Sequence, residues 1–331
     1  MVTSIEHIKK GLLMLALSSV FMFSTKAQDS FEFVVLPDTQ TYVEEFPEVF
    51  MSQMQWLAKN SDRFSFVLHV GDVTQNNSEA EWQIAKNGFE LLDGKLPYNI
   101  ALGNHDMGSQ PGKFADNRNT SLANRFFPVA TYIENSNSIA VFPEGTIDNS
   151  CSEYELIGEK WLVFSLEFGP QNKTLAWADS IIDKHPKHKI ILNTHAYLYT
   201  DNTLHDGKDW YLPEKYGVGK ATGNEAVNNG GQIWEKLLKK HANAMLVFSG
   251  HILGSGVGTL VSKNDFDKPV YQMLANYQKN VKGVEKGDSG YLRIIKVDKV
   301  SKTISVKTYS PWLKKFKTEP EHQFLFENID F

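Results

Sequence analysis

Residues 98–106 read YNIALGNHD, a short apolar run that ends abruptly in glycine, asparagine, histidine and aspartate. Such a run is typical of a buried β-strand, and the polar residues mark the point where the strand ends. The same pattern recurs along the chain. The other apolar runs that end in polar residues are 31–36, 64–70, 161–166, 189–192 and 244–248.

Segments with helical periodicity lie between several of these runs. In residues 47–60 the apolar side chains of Phe50, Met54 and Leu57 fall on one face. Similar patterns occur in residues 79–92, 174–184 and 231–241. Strands that alternate with helices predict an α/β fold. From residue 270 onward the chain reads as strands without helices, so we predict antiparallel pairing there.

The composition narrows the possible functions. The 331 residues include 21 Phe, enough apolar material for a large core, and the net charge is −5. This acidic balance argues against general nucleic-acid binding, which needs a basic surface. A single cysteine, Cys151, excludes an internal disulfide and a thiolate zinc cluster. The oligomeric state cannot be read from these features.

The N-terminus has the layout of a secretory signal peptide. Lys9 and Lys10 precede an uncharged apolar run over residues 11–23, and a small-residue cleavage site lies before Gln28. We predict a signal peptide over residues 1–27, one domain over 28–331, and a periplasmic or secreted location without a membrane span after cleavage. The alternative is an uncleaved N-terminal anchor.

The polar residues that follow the predicted strands favour a metal centre. They are Asp38, Asp72, Asn104, His105, His195 and His251. In α/β sheets, ligands bind beyond the carboxyl ends of the strands, so these side chains are expected to meet at one edge. Carboxylates and imidazoles gathered there would stay unsatisfied without a positive charge. A pair of divalent ions such as Mn, Fe or Zn would supply it and could hold a phosphoryl group.

The order and spacing of these motifs resemble the calcineurin-like metallophosphoesterase superfamily. The motifs that carry the resemblance are Asp38-x-Gln40, Gly71-Asp72, Gly103-Asn104-His105-Asp106, Thr194-His195 and Gly250-His251. The resemblance implies a four-layer α/β/β/α sandwich, in which two mixed β-sheets are flanked by helices. It also implies a dinuclear metal site at the sheet edge and the hydrolysis of phosphomonoesters or phosphodiesters by a metal-activated water.

The resemblance also implies roles for single residues. Asp72 would bridge two ions, Asn104, His195 and His251 would complete one site, and Asp38 would bind the other ion. His105 would act as the proton donor, or stabilise charge on the phosphoryl group, with Asp106 orienting its ring.

The sequence departs from the family pattern at two positions of the site built on Asp38. Gln40 stands where the family usually has histidine, and Leu253 stands where it has a second one. The run Pro37-Asp38-Thr39-Gln40 resembles a known subgroup of the family with Asp-x-Gln in its first motif. The amide oxygen of Gln40 can still bind a metal, whereas Leu253 has no ligand atom. The ion at Asp38 is therefore expected to be loosely held or absent, to be an oxygen-preferring ion such as Mg²⁺ or Mn²⁺, or to use a further ligand that these motifs do not identify.

Two further segments could contribute to the site. Residues 196–230 form a long polar and aromatic stretch, which is either a substrate-binding rim, with Tyr197 and His205 contacting the substrate, or a surface excursion. Residues 276–278 follow a predicted strand and are expected to line the pocket without binding metal. The leading hypothesis is an exported hydrolase acting on a small-molecule or polymeric phosphoester. The alternative is a catalytically impaired relative that binds a glycan or a phosphorylated polymer.

Overall fold

The computed structural model describes residues 29–207, 209, 211–284 and 286–331. The predicted signal peptide lies outside these residues. In chain order the strands are β1 (Ser30–Leu36), β2 (Val67–His69), β3 (Tyr98–Ile100), β4 (Ser138–Phe142), β5 (Asn149–Leu156), β6 (Glu159–Leu166), β7 (Lys189–Thr194), β8 (Ala244–Ser249), β9 (Val257–Lys263), β10 (Pro269–Ala275), β11 (Leu292–Asp298), β12 (Thr303–Ser310), β13 (Lys315–Lys317) and β14 (Gln323–Phe326).

Helices connect many of these strands. They are α1 (Gln40–Glu45), α2 (Pro47–Lys59), α3 (Glu79–Phe89), α4 (Ser121–Phe126), α5 (Val129–Ser136), α6 (Asn172–Lys184) and α7 (Gly230–Ile233), which continues as a π-helix (Trp234–Leu238). Short 3₁₀ turns cover Ser61–Arg63, Asn104–Asp106, Pro213–Lys215, Gly217–Lys220 and Gly223–Glu225. Local sequence explains two of the helix starts: Pro47 occupies the first turn of α2, and Ser78 caps α3 in a capping box with Glu81.

The strands form two mixed sheets of seven strands each. The first has the order β13-β12-β11-β1-β2-β3, with β14 also paired to β12. Here β1, β2 and β3 are parallel, and β11 to β14 are joined by antiparallel pairings. The second has the order β4-β5-β6-β7-β8-β10-β9, in which β6, β7, β8 and β10 run parallel.

The two sheets pack face to face, and helices cover their outer faces. Along β1 the side chains alternate: Phe33 and Val35 point into the apolar layer between the sheets, while Val34 packs on the opposite side with α1 to α3. The outer face of the second sheet packs against α6 and α7. These layers confirm the predicted α/β/β/α sandwich. No helix in the described part of the chain is both long and apolar enough to cross a bilayer.

The prediction of antiparallel pairing after residue 270 was wrong for one strand. β10 pairs antiparallel with β9 on one side but parallel with β8 on the other. β9 and β10 form a hairpin at the edge of the sheet. β9 runs opposite to β8, and β10 therefore runs in the same direction as β8. As a result, the carboxyl end of β10 reaches the same sheet edge as the ends of β7 and β8.

Candidate metal centre at the shared sheet edge

The structure brings the predicted strand-end residues together. Asp38 follows β1, Asp72 follows β2, and Asn104 follows β3, all from the first sheet. His195 and His251 follow β7 and β8 of the second sheet. Because the parallel strands of both sheets end at this edge, residues that are far apart in the sequence meet there, nearly all of them buried.

Four ligand atoms converge around the ring of His195. Its Nε2 lies 3.1 Å from Asp72 Oδ2, 3.1 Å from Asn104 Oδ1 and 3.2 Å from His251 Nδ1. Asp72, His195 and His251 each offer a ligand atom within 4.8 Å of one another. A carboxylate, an amide oxygen and two imidazoles form a donor set that suits Mn, Fe or Zn.

Backbone carbonyl groups fix the orientation of both imidazoles. His195 Nδ1 lies 2.9 Å from the carbonyl oxygen of Val70, and His251 Nε2 lies 2.8 Å from that of Tyr211. Each of these nitrogens therefore carries a proton, and in a neutral ring the other nitrogen presents its lone pair. The lone pairs of His195 and His251 then face each other, and that of His195 also faces the oxygen atoms of Asp72 and Asn104. This arrangement is unfavourable unless a cation lies among these atoms. The residues thus fit a divalent ion.

The pKa shifts of His195 and Asp72 also indicate that a positive charge is favoured at this position. Burial lowers the pKa of His195, but the nearby Asp72 and Asp38 carboxylates outweigh it and raise the pKa to about 9. Burial disfavours the charged form of Asp72, yet His195 and His105 hold its pKa below the usual range. A single proton on His195 cannot bond to three acceptors at once, whereas a cation can contact them all.

Backbone conformation and glycine make this close packing possible. Asp72 has a φ of 51° and His251 a φ of 69°, both in the left-handed region that costs energy for residues other than glycine. A Cβ atom at Gly103 would overlap the Asp72 carboxylate, and one at Gly250 would overlap the Asp38 carboxylate. The glycines of the Gly-Asn-His-Asp and Gly-His motifs are therefore required by the approach of the ligands.

The Asp38 carboxylate lies beside this cluster among amide groups. Its Oδ2 accepts hydrogen bonds from the backbone N–H of His251 at 3.0 Å, from Asn276 Nδ2 at 2.9 Å and from Gln278 Nε2 at 3.2 Å. Complete burial raises the pKa of Asp38 to about 8, with His195 opposing the shift.

Gln40 provides an unsatisfied oxygen on this side. Its Nε2 donates to Gln75 Oε1 at 2.9 Å. Its Oε1 is buried and accepts no hydrogen bond from the residues that the structure describes. A buried acceptor without a partner costs about 1–3 kcal/mol, a cost that a bound cation would remove. The orphaned atom fits a second ion near Asp38.

His105 and Asp106 are placed differently from one another. The half-buried His105 ring stacks on Phe114 with centroids 3.9 Å apart, and its Nδ1 lies 2.6 Å from the carbonyl oxygen of Gln75. The prediction that Asp106 orients this ring was wrong, because its carboxylate instead accepts hydrogen bonds from the backbone N–H groups of Val73, Thr74 and Gly103. Asp106 therefore holds the turn that presents Asp72.

A cavity of about 550 Å³ opens over the site. Besides the predicted Gln40, Asp72, Asn104, His105 and His251, its lining includes Thr41, Glu44, Glu45, Gln75, Phe114, Tyr211, Tyr216, Leu253, Gln278, Lys279 and Asn280. From the long stretch 196–230, Tyr211 and Tyr216 reach the cavity, so this stretch contributes to the rim.

Neither of the two residues singled out from that stretch lines the cavity. Tyr197 is fully buried in the core of the second sheet, where its hydroxyl donates to Gln272 Oε1 at 2.6 Å. His205 is also fully buried, with its ring centroid 6.1 Å from that of His251. Both side chains lie beneath the site, out of reach of a substrate in the cavity.

The sequence indicated that residues 276–278 line the pocket, but it did not identify Asn276 and Gln278 as neighbours of Asp38. Both follow β10, and the only clue was the polar segment directly after an apolar run, the same pattern that identified the other strand ends. The wrong antiparallel assignment of this region gave no reason to place them beside Asp38.

Comparison with known proteins relates this chain to a described family. Residues 31–255 match the family model described as calcineurin-like phosphoesterase. A curated relative, the uncharacterized protein YvnB of Bacillus subtilis (strain 168), is 29% identical over 299 residues. The match covers 87% of this chain but 20% of YvnB, so the chain spans about a fifth of that relative's length.

A solved structure shares the fold at low sequence identity. The purple acid phosphatase PPD1 from yellow lupin (Lupinus luteus) seeds superposes with a TM-score of 0.54 at 12% identity, covering 91% of this chain and 54% of the phosphatase. A 5'-nucleotidase precursor from Thermus thermophilus has a TM-score of 0.47 at 13% identity, covering 90% and 55%. At this identity the phosphatase supports the fold alone.

Proposed function

Because the chain belongs to the calcineurin-like phosphoesterase family, we propose that it hydrolyses phosphoesters with two divalent ions held at the shared sheet edge. The observation that carries the proposal is the meeting of Asp72, Asn104, His195 and His251 around one point, with lone pairs facing each other. Bound divalent ions would neutralise phosphoryl oxygens and make a water nucleophilic near neutral pH.

The Asp72 carboxylate contacts two parts of the site, the histidine cluster and the loop that carries Asn104 and His105. Its Oδ2 faces His195, while its Oδ1 accepts the backbone N–H of His105 at 2.9 Å. This bond ties the carboxylate to the loop that carries Asn104 and His105. In this proposal Asp72 would help to hold both the ion at the two histidines and the ion at Asp38.

His105 is the proton donor in this proposal. Because its Nδ1 bonds to the Gln75 carbonyl oxygen, its Nε2 is the nitrogen that can deliver a proton to the leaving oxygen. Contact with Phe114 holds the ring at the cavity wall. Asp106 acts indirectly, by holding the Asp72 turn.

The charge and the apolar surface of the cavity walls affect which substrates could bind. Among the described residues, Glu44, Glu45 and Lys279 are charged and lie along the rim, and Lys279 pairs with Glu45 at 2.5 Å. The walls thus supply little positive charge of their own, and attraction of a phosphoryl group must come from the ions. Phe114, Tyr211 and Tyr216 offer apolar surface for the organic part of a phosphomonoester or phosphodiester.

The test is hydrolysis of aryl phosphate mono- and diesters by the purified chain after metal removal and addition of Mn²⁺, Zn²⁺ or Mg²⁺. We expect turnover that depends on added metal. The absence of turnover with every metal and both ester classes, despite bound ions, would favour the alternative, a protein that binds a phosphorylated polymer or glycan without cleaving it.

We further propose that the protein is exported. The support is the charged, apolar and small-residue layout of residues 1–27. N-terminal sequencing of the protein from cell fractions is expected to give a chain that begins at Gln28 outside the cytoplasm. A cytoplasmic protein that retains Met1 would refute export without affecting the proposed reaction.

A further inference from the structure

We propose that Gln278 supplies the ligand that Leu253 cannot, and that the ion at Asp38 is bound by oxygen atoms alone. The inference rests on the proposed function, since it concerns the second ion of the same centre. It goes beyond the family pattern, in which a histidine at position 253 would complete this side.

The topology delivers Gln278 to the site. β10 is parallel to β8, so its carboxyl end lies next to the strand end that carries His251. The chain after β10 passes along the Asp38 carboxylate, and Gln278 lines the same cavity as Leu253.

Asn276 is fixed in one orientation. Its Oδ1 accepts the backbone N–H of Gln278 at 3.0 Å, and its Nδ2 donates to Asp38 Oδ2 at 2.9 Å. Both ends of this fully buried amide are engaged, so turning it over would break two hydrogen bonds. Asn276 is therefore a positioning residue for both Asp38 and the Gln278 backbone.

The side-chain amide of Gln278 is held by fewer hydrogen bonds than that of Asn276. Within the part of the chain that the structure describes, its amide makes one hydrogen bond, from Nε2 to Asp38 Oδ2 at 3.2 Å. A half-turn about its last bond exchanges the nitrogen for the oxygen and places an acceptor beside the carboxylate. An ion bound to Asp38 would favour this rotamer, because it repels the N–H groups and attracts the oxygen.

The resulting donor set contains no imidazole. Asp38 and Asp72 provide carboxylate oxygens, and Gln40 and Gln278 provide amide oxygens, of which Gln40 Oε1 is already unpartnered. Oxygen ligands select hard cations such as Mg²⁺ and Mn²⁺, whereas imidazoles also suit Zn²⁺. The two sides of the centre are therefore expected to prefer different ions.

The experiment is a Mn²⁺ titration of the metal-free full-length protein, followed by calorimetry and by electron paramagnetic resonance, which detects coupling between two neighbouring Mn²⁺ ions. The wild type is expected to bind two coupled ions. Gln278→Ala should bind the first ion as the wild type does and the second at least about tenfold more weakly, with loss of the coupling signal. Gln278→Glu, which keeps an oxygen, should retain the second ion.

Leu253→Ala is the matched control, because it truncates a cavity residue that has no ligand atom, and it should leave both affinities unchanged. Circular dichroism of each variant checks the fold, and Gln278→Glu provides the answer if Gln278→Ala does not fold. Unchanged second-ion affinity in Gln278→Ala, or loss of the second ion in Gln278→Glu, would overturn the inference. A wild type that binds a single ion and still hydrolyses phosphoesters would overturn it too, while leaving metal-dependent hydrolysis intact. A wild type that binds no ion would overturn the proposed function itself.

Discussion

The two sides of the candidate metal centre are built from different chemistry. One side gathers His195 and His251 with Asn104, and each imidazole is held in one tautomer by a backbone carbonyl group. The other side surrounds Asp38 with amide groups, which can present either nitrogen or oxygen. The imidazole side is preorganised for an ion, whereas the amide side has to rearrange, so it is expected to bind its ion more weakly.

The most damaging change removes the residue that belongs to both sides. Asp72→Asn removes the negative charge that would attract both ions. His195 and His251 alone would then hold an ion only weakly. Turnover of an aryl phosphodiester is expected to fall at least about a thousandfold, with loss of bound Mn²⁺ measured by elemental analysis. Turnover at the wild-type level would refute the site as drawn.

A substitution at His105 tests the chemistry while every side chain proposed to bind an ion stays in place. His105→Ala is expected to lower turnover about a hundredfold or more for esters with poor leaving groups, because the proton donor is lost. Bound metal should stay at the wild-type level, and esters with good leaving groups such as 4-nitrophenol should lose less. An equal loss for all leaving groups would assign His105 to charge stabilisation instead of proton donation.

A substitution on the amide side should weaken the binding of one ion and leave that of the other unchanged. Gln40→Ala deletes the unpartnered oxygen, and the second Mn²⁺ is expected to bind about ten- to a hundredfold more weakly in a calorimetric titration. The first ion provides the internal control, since its ligands are unchanged. Equal weakening of both ions would show that the two sides do not act separately.

The smallest effect concerns stability. An ion present at a hundred times its dissociation constant adds about 2.7 kcal/mol to the free energy of unfolding. Chelation should therefore lower the midpoint of thermal unfolding of the wild type and have much less effect on Asp72→Asn. If chelation does not change the unfolding midpoint of the wild type, then Asp72, Asn104, His195 and His251 are stable together without a bound ion.

Much of the site could be predicted because its signals are local. Each ligand follows an apolar run directly, as in residues 98–106, and the period of those runs identifies strands without any tertiary information. The predictions that were wrong concerned contacts between side chains, which depend on the tertiary structure. Asp106 was assigned to His105 because the two are adjacent in sequence, yet the Asp106 carboxylate turns toward the backbone of Val73 and Thr74.

The four-layer sandwich was implied by the family resemblance. The sequence by itself determined the α/β class, the strand ends that carry Asp38, Asp72, Asn104, His195 and His251, and the absence of imidazoles at positions 40 and 253. These follow from hydrophobic periodicity and residue identity, which are properties of short segments. Only the tertiary structure decided that β10 runs beside β8 and carries Gln278 to Asp38, because strand pairing depends on contacts between distant segments. It also decided that Tyr197 is buried in the core, since its neighbour Gln272 comes from a different strand.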